Sequence, residues 1–285
     1  MSDFLEKMAA GSRERLAAAR RSQPEAALLQ KALALPKPAA LTSNPDRFDL
    51  IAELKLRSPA VGQLKSSDED VAARVTTYAR AGAAAVSVLT EPSRFDGSME
   101  HLRTATQALG PLGVPAMRKD FLVDPYQVIE ARAAGAGGVL VIIRMLSRSG
   151  VEEMLDCARK LGLFVLLEAF DEADIEAMHA VIGSRGTRAS SVRLDEAPVL
   201  AGLNCRDLTT LQIVPKRLLE LAHLLPTNVP RVAESGVGSG EDAARVAAVG
   251  YEFALVGSAL MQGGDPRALA AAMLEAGRES ARKRG

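Results

Sequence analysis

Short apolar runs alternate with longer segments of helical periodicity from residue 48 to the end of the chain. The apolar runs have the length of buried strands and lie at residues 50–54, 84–89, 114–118, 137–143, 163–168, 200–204, 231–233 and 253–257. Helical patterns follow them at residues 68–81, 98–108, 125–134, 148–161, 172–182, 215–224, 240–249 and 265–277. Strands that alternate with helices form parallel sheets. Eight such units predict a closed (β/α)8 TIM barrel, a single α/β domain over residues 1–285.

A doubly wound open sheet is the alternative for the same alternation. Such sheets usually carry a GxGxxG sequence directly after the first strand. No such sequence follows Lys55 in this chain. We therefore favour the barrel, in which the carboxyl ends of all strands meet at one rim and carry the chemistry.

Residues 1–47 precede the first strand and form an N-terminal helical extension of the predicted barrel. Apolar positions recur with helical spacing as far as residue 35, which predicts one or two amphipathic helices. Pro36 and Pro38 end this helical stretch. The extension is placed to cover one end of the barrel.

Residues 183–193 interrupt the alternation with a run rich in Gly, Ser and Arg. We expect an exposed, mobile loop there. The run precedes the sixth strand, so it should open on the face opposite the expected site. Shortening the loop should then cost little turnover; a functional lid is the alternative.

Charged and polar residues follow the apolar runs where each strand ends. Glu53 and Lys55 lie two residues apart at the end of the first strand, so their side chains share one face. An ordinary ion pair or a solvated rim explains part of this pattern. Carboxylates buried together at several strand ends, however, require cations beside them. The carboxylates and the candidate cations are Glu53, Glu168, Glu234, Lys55, Lys119 and Arg206.

Small residues follow the last two predicted strands. Ser235 and Gly236 come after the seventh strand, and Gly257 and Ser258 come after the eighth. This part of a barrel rim often binds phosphate, because bare backbone N–H groups can approach the anion closely. We therefore expect an anion between the turn at residues 236–238 and the turn at residues 257–258.

The charge balance narrows the range of partners. The chain of 285 residues has 35 basic and 35 acidic side chains, so its formal net charge is zero. This balance argues against binding to nucleic acid or to an acidic membrane.

No apolar stretch approaches the length of a membrane span, and the N-terminus has no signal-peptide pattern. A phosphorylated small molecule is the expected partner, with the protein a monomer or a weak homo-oligomer.

The two cysteines and three histidines predict neither a disulfide framework nor a metal site. Cys157 and Cys205 do not form a CxxC pair, and no histidine lies at metal-ligand spacing. This low cysteine content favours the reducing cytoplasm.

Six short motifs occur at the ends of the predicted strands. They are IAELK (51–55) with Ser58-Pro59, VSVLTE (86–91), RKDFLVDPYQ (118–127), GLNCRDL (202–208), AESG (233–236) and VGSAL (256–260). Together they resemble the motifs of the indole-3-glycerol phosphate synthase family. The resemblance covers the chain from about residue 48 to its end, and the RKDFLVDPYQ block is long and specific.

This resemblance implies a (β/α)8 barrel enzyme of tryptophan biosynthesis that uses no cofactor. The substrate would be 1-(2-carboxyphenylamino)-1-deoxyribulose 5-phosphate, and the products would be indole-3-glycerol phosphate, carbon dioxide and water. By the family's pattern Lys119 is the general acid for ring closure and Glu168 is the general base. Glu53 and Lys55 complete the catalytic set, although the pattern does not divide the acid roles between the two lysines.

The same pattern implies the residues that hold the substrate. Those assigned to substrate binding are Asn204, Arg206, Glu234, Ser235 and Phe121, and those assigned to the phosphate are Ser58, Gly236, Gly257 and Ser258. Phe121 and Leu122 are candidates to hold the aromatic ring. Leu140, Leu166 and Leu203 are further candidates, for which we favour a core role, because branched side chains fill barrel interiors.

The chain departs from the family pattern close to the predicted site. Cys205 stands where a second asparagine is usual; we expect a structural thiol, so Cys205→Asn should keep or raise activity. The sequence Glu168-Ala169-Phe170 stands where Glu-Val-His is common. The loop after the first strand, residues 56–62, lacks the usual Ser-Lys before its glycine. Every charged catalytic position is nevertheless filled, which predicts an active enzyme.

Two other functions stay open at this point. A phosphoribosylanthranilate isomerase would also be a phosphate-binding barrel, but it would use a cysteine at the end of the first strand, and none lies there. A non-catalytic barrel is the second alternative, because fold alone does not establish activity.

Overall fold

The computed structural model describes residues 2–44, 48–65, 69–183, 198–262 and 264–284, and within them eight parallel strands close into a barrel. Each strand pairs with its neighbours in the chain, and the last strand pairs with the first, as in the register of Ile51 with Leu255. The (β/α)8 fold predicted from the sequence is therefore confirmed. The strands, numbered β1 to β8, are Asp49–Leu54, Ala85–Leu89, Ala116–Lys119, Gly138–Ile142, Phe164–Ala169, Val199–Asn204, Arg231–Glu234 and Phe253–Val256.

Helices surround the barrel and connect its strands. In the described part of the chain, the helices α1 to α12 are Asp3–Ser22, Glu25–Ala34, Val71–Arg80, Pro92–Phe95, Met99–Leu109, Pro125–Ala133, Arg148–Lys160, Glu172–Ile182, Lys216–Glu220, Gly240–Ala248, Ser258–Gln262 and Pro266–Arg284. Short 3-10 turns lie at Gly110–Leu112, Ile143–Met145 and Ala222–Leu224. None of these helices is long and apolar enough to cross a membrane.

Several helix ends confirm their sequence signals. The Asp124 side chain accepts the backbone N–H of Tyr126, so α6 begins at Pro125 as predicted. Four glycines that follow helices have left-handed backbones, with φ angles from 72° to 107°. Glycine is favoured at such positions because residues with a Cβ atom rarely adopt this conformation. They are the predicted Gly82, Gly135, Gly162 and Gly250.

Other boundaries differ from the prediction. Helix α3 begins at Val71 instead of residue 68, because Asp70 caps it by accepting the N–H of Ala73. The helix predicted at 215–224 is split into α9 and a 3-10 turn, and α12 runs on to Arg284. A small hairpin, Arg57–Ser58 with Gly62–Gln63, was not predicted. The loop predicted at 183–193 lies outside the described residues from position 184 onward.

Two apolar clusters hold the barrel together: an inner cluster inside the barrel, and an outer cluster between the strands and the surrounding helices. Side chains alternate along each strand, so Ile51 points into the barrel and the neighbouring Leu50 points toward the surrounding helices. The inner cluster includes Phe164, Leu166 and Phe253 and extends at one end to helix α1. Burial of both clusters fixes the strand register, and with it the direction of the side chain at each strand end.

The N-terminal extension forms two helices, as the sequence predicted. Helix α1 buries Leu5, Met8 and Ala9 in the inner cluster, which is an i, i+3, i+4 stripe. Ser2 caps the helix by accepting the N–H of Leu5. Helix α1 therefore packs against the barrel end at which the strands terminate, whereas α2 packs against α6.

Candidate active site

A cavity of about 390 Å³ opens at the carboxyl ends of the strands. All the site residues assigned from the sequence line this cavity, although they come from six strands and their following turns. They are Glu53, Lys55, Ser58, Lys119, Phe121, Glu168, Asn204, Arg206, Glu234, Ser235, Gly236, Gly257 and Ser258. The barrel therefore gathers in one pocket residues that lie up to 205 positions apart in sequence, since Glu53 and Ser258 are its outermost members. Their individual roles stay predictions.

Lys119 lies at the end of β3, between two carboxylates. Its Nζ atom is 3.6 Å from Oε1 of Glu168 and 3.9 Å from Oε2 of Glu234. Burial alone would lower the pKa of Lys119, but the carboxylates of Glu168 and Glu234 raise it above its usual value. The lysine is therefore held in its charged ammonium form inside the pocket.

Glu53 and Lys55 form a close ion pair at the end of β1. Lys55 Nζ is 2.6 Å from Glu53 Oε1, and both side chains face the cavity as the two-residue spacing predicted. Burial would raise the pKa of Glu53, but Lys55 and Lys119 lower it below its usual value. Glu53 is therefore held in its carboxylate form, and Lys55 brings a second lysine side chain into the pocket.

Glu234 is almost fully buried at the end of β7. Neither of its carboxylate oxygens has a hydrogen-bond partner among the described residues. Burial and the neighbouring Glu168 raise the pKa of Glu234 well above its usual value, and Lys119 offsets this only in part. Gly202 on β6 makes room for the carboxylate, because a Cβ atom there would collide with Glu234.

Asn204 orients the carboxylate of Glu168. Its side-chain amide nitrogen donates to Glu168 Oε1 at 2.8 Å, and its oxygen accepts the backbone N–H of Arg206 at 3.0 Å. The Arg206 guanidinium donates to the carbonyl of Leu211 at 2.7 Å, so the turn after β6 holds this side chain. Glu168 therefore has a fixed orientation before any ligand enters.

Aromatic and aliphatic side chains line one half of the cavity. Phe121 packs edge-on against Phe4 of α1, with ring centroids 5.9 Å apart, and Phe95 lies 6.1 Å from Phe121 on another side. Leu140 and Phe170 continue this wall. We call this set, which also includes Ile142 on β4, the apolar half of the pocket.

The structure corrects part of the prediction for the aromatic ring. Phe121 lines the cavity as predicted, and so does Leu140, for which we favoured a core role. Leu122 instead belongs to the outer cluster, whereas Leu203 in the outer cluster and Leu166 in the inner cluster have the core role that we favoured for them. Phe4 and Phe95 were not predicted, because they precede the barrel or lie in the short helix α4.

Small residues line the other half of the cavity, after β7 and β8. Ser235 and Gly236 both have left-handed backbones, with φ angles of 65° and 73°. The Gly238 N–H, which we expected to contact an anion, already donates to Asp242 Oδ2 at 3.0 Å. An anion that contacts this N–H must therefore displace the Asp242 carboxylate.

Cys205 lies outside the lining of the cavity, in the outer apolar cluster. Burial raises the pKa of its thiol to about 11, so the sulfur is protonated at neutral pH. A Cβ atom at Gly236 would come within 3.0 Å of its Sγ atom. These contacts fit a packing residue.

Across the described ranges, no group of three or more His, Cys, Asp or Glu side chains is arranged to hold a metal ion.

The sequence matches one enzyme family along most of its length. The family model described as indole-3-glycerol phosphate synthase matches residues 5–273. A protein of that name from Parafrankia sp. (strain EAN1pec) is 39% identical over 275 residues, which cover 96% of each chain. Its counterpart from Nocardioides sp. (strain ATCC BAA-499 / JS614) is 42% identical over 217 residues, or 76% of each chain.

Solved structures share the fold at low sequence identity. Orotidine 5'-phosphate decarboxylase from Pyrococcus horikoshii OT3 has a TM-score of 0.56 at 13% identity and covers 80% of this chain and 99% of its own. The 3-hexulose-6-phosphate synthase from Salmonella typhimurium has a TM-score of 0.58 at 12% identity and covers 84% of this chain and 100% of its own. These likenesses concern the barrel alone. On the sequence matches, the chain belongs to the indole-3-glycerol phosphate synthase family.

Proposed function

We propose that the pocket converts 1-(2-carboxyphenylamino)-1-deoxyribulose 5-phosphate into indole-3-glycerol phosphate, with Lys119 and Glu168 as the acid and the base. As a member of its family the chain is a carboxy-lyase of tryptophan biosynthesis. The observation that carries the residue roles is the position of Lys119 at the cavity, within 4 Å of both Glu168 and Glu234.

The two halves of the pocket suit the two ends of this substrate. The aromatic ring fits the apolar half around Phe121. The phosphate fits the turns of small residues at Gly236 and at Gly257-Ser258, which line the other half of the pocket. The ketone then lies between these halves, where the ammonium and carboxylate groups converge.

Lys119 supplies the proton for ring closure. The ring carbon that carries the carboxylate attacks the ketone, and the carbonyl oxygen gains negative charge as the carbon–carbon bond forms. An ammonium group beside this oxygen stabilises the charge and donates the proton. Lys119 is in its ammonium form because Glu168 and Glu234 raise its pKa.

Glu168 removes a proton in the last step. Loss of carbon dioxide first restores the aromatic ring, and the new hydroxyl group then leaves as water. Its departure requires an acid for the leaving oxygen and a base for the proton on the adjacent carbon. The amide of Asn204 holds Glu168 in place for this transfer. Lys55 is the second ammonium group, either as the acid for the leaving hydroxyl or as a partner of the substrate carboxylate.

The alternative functions lack a supporting observation. An isomerase of the same pathway would need a cysteine at the end of β1, where this chain has the Glu53–Lys55 ion pair. Cys205 follows β6 and is buried outside the pocket. A binding-only barrel would not need two lysines and three glutamates around one cavity.

A fluorescence assay tests the proposal. Purified protein is mixed with the ribulose phosphate substrate, and the growth of indole fluorescence is followed against a protein-free control. The proposal requires catalytic turnover that produces indole-3-glycerol phosphate and carbon dioxide in equal amounts. If a folded protein produces no indole fluorescence, the proposed function is rejected. Isomerisation of phosphoribosylanthranilate by the protein would favour the alternative enzyme.

We also propose a cytoplasmic location. The low cysteine content of the sequence supports it, as does the biosynthetic role of the family. A monomer or weak homo-oligomer stays a prediction, which the elution volume and light scattering of the purified protein test.

A further inference from the structure

We propose that Arg144 is a positioning residue that clamps Phe170 as the wall against which the substrate's aromatic ring packs. The inference rests on the proposed function, because it names the surface that holds one end of that substrate. Arg144 follows β4, and Phe170 follows β5, two residues after Glu168. The clamp therefore joins the ends of two adjacent strands beside the general base.

Arg144 is held by two aspartates at the start of α8. Its Nε donates to Asp174 Oδ2 at 2.7 Å, and its Nη2 donates to Asp171 Oδ2 at 2.5 Å. Asp171 caps α8, since its side chain accepts the N–H of Asp174. A guanidinium fixed by two carboxylates has one orientation, unlike an arginine that is free in solvent.

Asp174 connects the clamp to the backbone of Phe170. The same oxygen, Asp174 Oδ2, accepts the N–H of Phe170 at 2.9 Å, and only 6% of Asp174 is exposed. A carboxylate buried in this way needs the cation beside it. Loss of Arg144 would therefore loosen the turn that carries Phe170.

The ring of Phe170 lies between Arg144 and the cavity. The guanidinium carbon of Arg144 is 5.1 Å from the ring centroid, within the range of a cation–π contact. Phe170 lines the cavity and is 4% exposed, whereas Arg144 does not line it. The arginine thus contacts the ring from outside the cavity, and the small exposed part of Phe170 belongs to the cavity wall.

Two variants and a control test the clamp. Arg144→Met removes the cation and keeps the length of the side chain, and Phe170→Leu removes the ring. Arg159→Met makes the first change at an exposed arginine of α7. For each protein, the assay measures the Michaelis constant, the turnover number, and inhibition by indole-3-glycerol phosphate and by inorganic phosphate.

We expect each clamp variant to raise the Michaelis constant and the inhibition constant of indole-3-glycerol phosphate by about tenfold. Inhibition by inorganic phosphate and the values for Arg159→Met should not change. Because Arg144 acts through Phe170, the double variant should lose less than the product of the two single losses. A merely structural arginine would instead weaken both inhibitors alike.

The results separate two failures. A wild-type protein without turnover would reject the proposed function and this inference with it. An active wild type with unchanged constants in a folded Arg144→Met variant, or in Phe170→Leu, would overturn the inference alone. If Arg144→Met unfolds, as judged by circular dichroism, Phe170→Leu decides, and unchanged inhibition by indole-3-glycerol phosphate in that variant rejects the aromatic wall.

Discussion

Gly257 illustrates how one residue serves the charged part of the site. The sequence placed it among the phosphate contacts, because glycine lets an anion approach the backbone. The structure adds a second reason: a Cβ atom at this position would collide with the Glu53 carboxylate and lie 2.9 Å from Lys55 Nζ. The glycine is therefore required by the ion pair whether or not phosphate binds.

Gly257→Ala should displace the Glu53–Lys55 pair. Overpacking of a buried site costs about 1–3 kcal/mol, and we expect a loss of this size in the free energy of unfolding together with lower turnover. Gly110→Ala is the control, because a Cβ atom there meets nothing within 4 Å. Chemical unfolding and steady-state rates are the measurements. Equal stability and turnover in both variants would contradict this view of Gly257.

The buried carboxylate of Glu234 should make stability depend on pH. Its pKa in the folded protein lies well above the ordinary value of 4.5. Folding therefore favours the protonated form, and this contribution to stability is lost as the pH rises through the folded pKa. Near neutral pH the contribution of Glu234 to stability is therefore smaller than it is at lower pH, because this residue must either stay protonated or be buried as a charged carboxylate.

Glu234→Gln should reduce this pH dependence, because glutamine keeps the size of the side chain and stays neutral. We expect the variant to gain thermal stability relative to wild type at about pH 8, and to gain less at about pH 5. Glu241→Gln, at an exposed position of α10, is the control. A larger gain at the lower pH would show that the sign of the pKa shift is wrong.

Among the helices and strands, α1 and the RKDFLVDPYQ block behave as one unit. Arg15 donates to Asp120 at 2.8 Å, Arg20 donates to Asp124 at 2.8 Å, and Gln127 donates to Ser12. The Tyr126 hydroxyl donates to carbonyls near the end of the helix. This long motif therefore has two tasks, since it carries Lys119 and also docks the helix that supplies Phe4 to the pocket.

Arg15→Gln should weaken this docking. Arg15 is partly exposed, but Asp120 and Glu91, which it pairs with, are almost fully buried. Loss of the cation leaves those carboxylates with fewer partners, at a cost of about 1–3 kcal/mol in stability. The Michaelis constant should rise as well, because Phe4 and Leu5 line the cavity.

The matched control for Arg15 is Arg13→Gln, which changes an exposed arginine on the same helix. Thermal unfolding and the Michaelis constant are measured for both variants. If the two variants behave alike, the docking of α1 does not depend on Arg15.

Hydrophobic periodicity was enough to predict the strands and most helices, because each buried run must face the core. The positions of Glu53 and Lys55 were also predicted correctly, because residues two apart on a strand point to the same face. Short elements such as α4 and the hairpin after β1 carry too little periodicity to be predicted. The Arg144–Phe170 contact was out of reach for another reason: its partners are 26 positions apart and meet only because β4 and β5 are neighbours.

At the scale of the whole molecule, the barrel separates two kinds of surface around one opening. The apolar half comes mainly from α1 and the strands β3 to β5, and the small residues come from the turns after β7 and β8. Lys119, whose Nζ is 3.6 Å from Glu168 and 3.9 Å from Glu234, lies in the same opening. A substrate with a ring at one end and a phosphate at the other would therefore present its ketone to both groups.

The turnover number of Lys119→Ala, measured by indole fluorescence beside wild type, tests this account most directly. Loss of a general acid should lower turnover by about 10²–10⁴ while the Michaelis constant changes little. Lys160→Ala, at an exposed position of α7, should match wild type. Glu168→Gln should lose a similar amount, and the double variant less than the product of the two losses. Near-wild-type turnover in a folded Lys119→Ala protein would contradict the proposed mechanism.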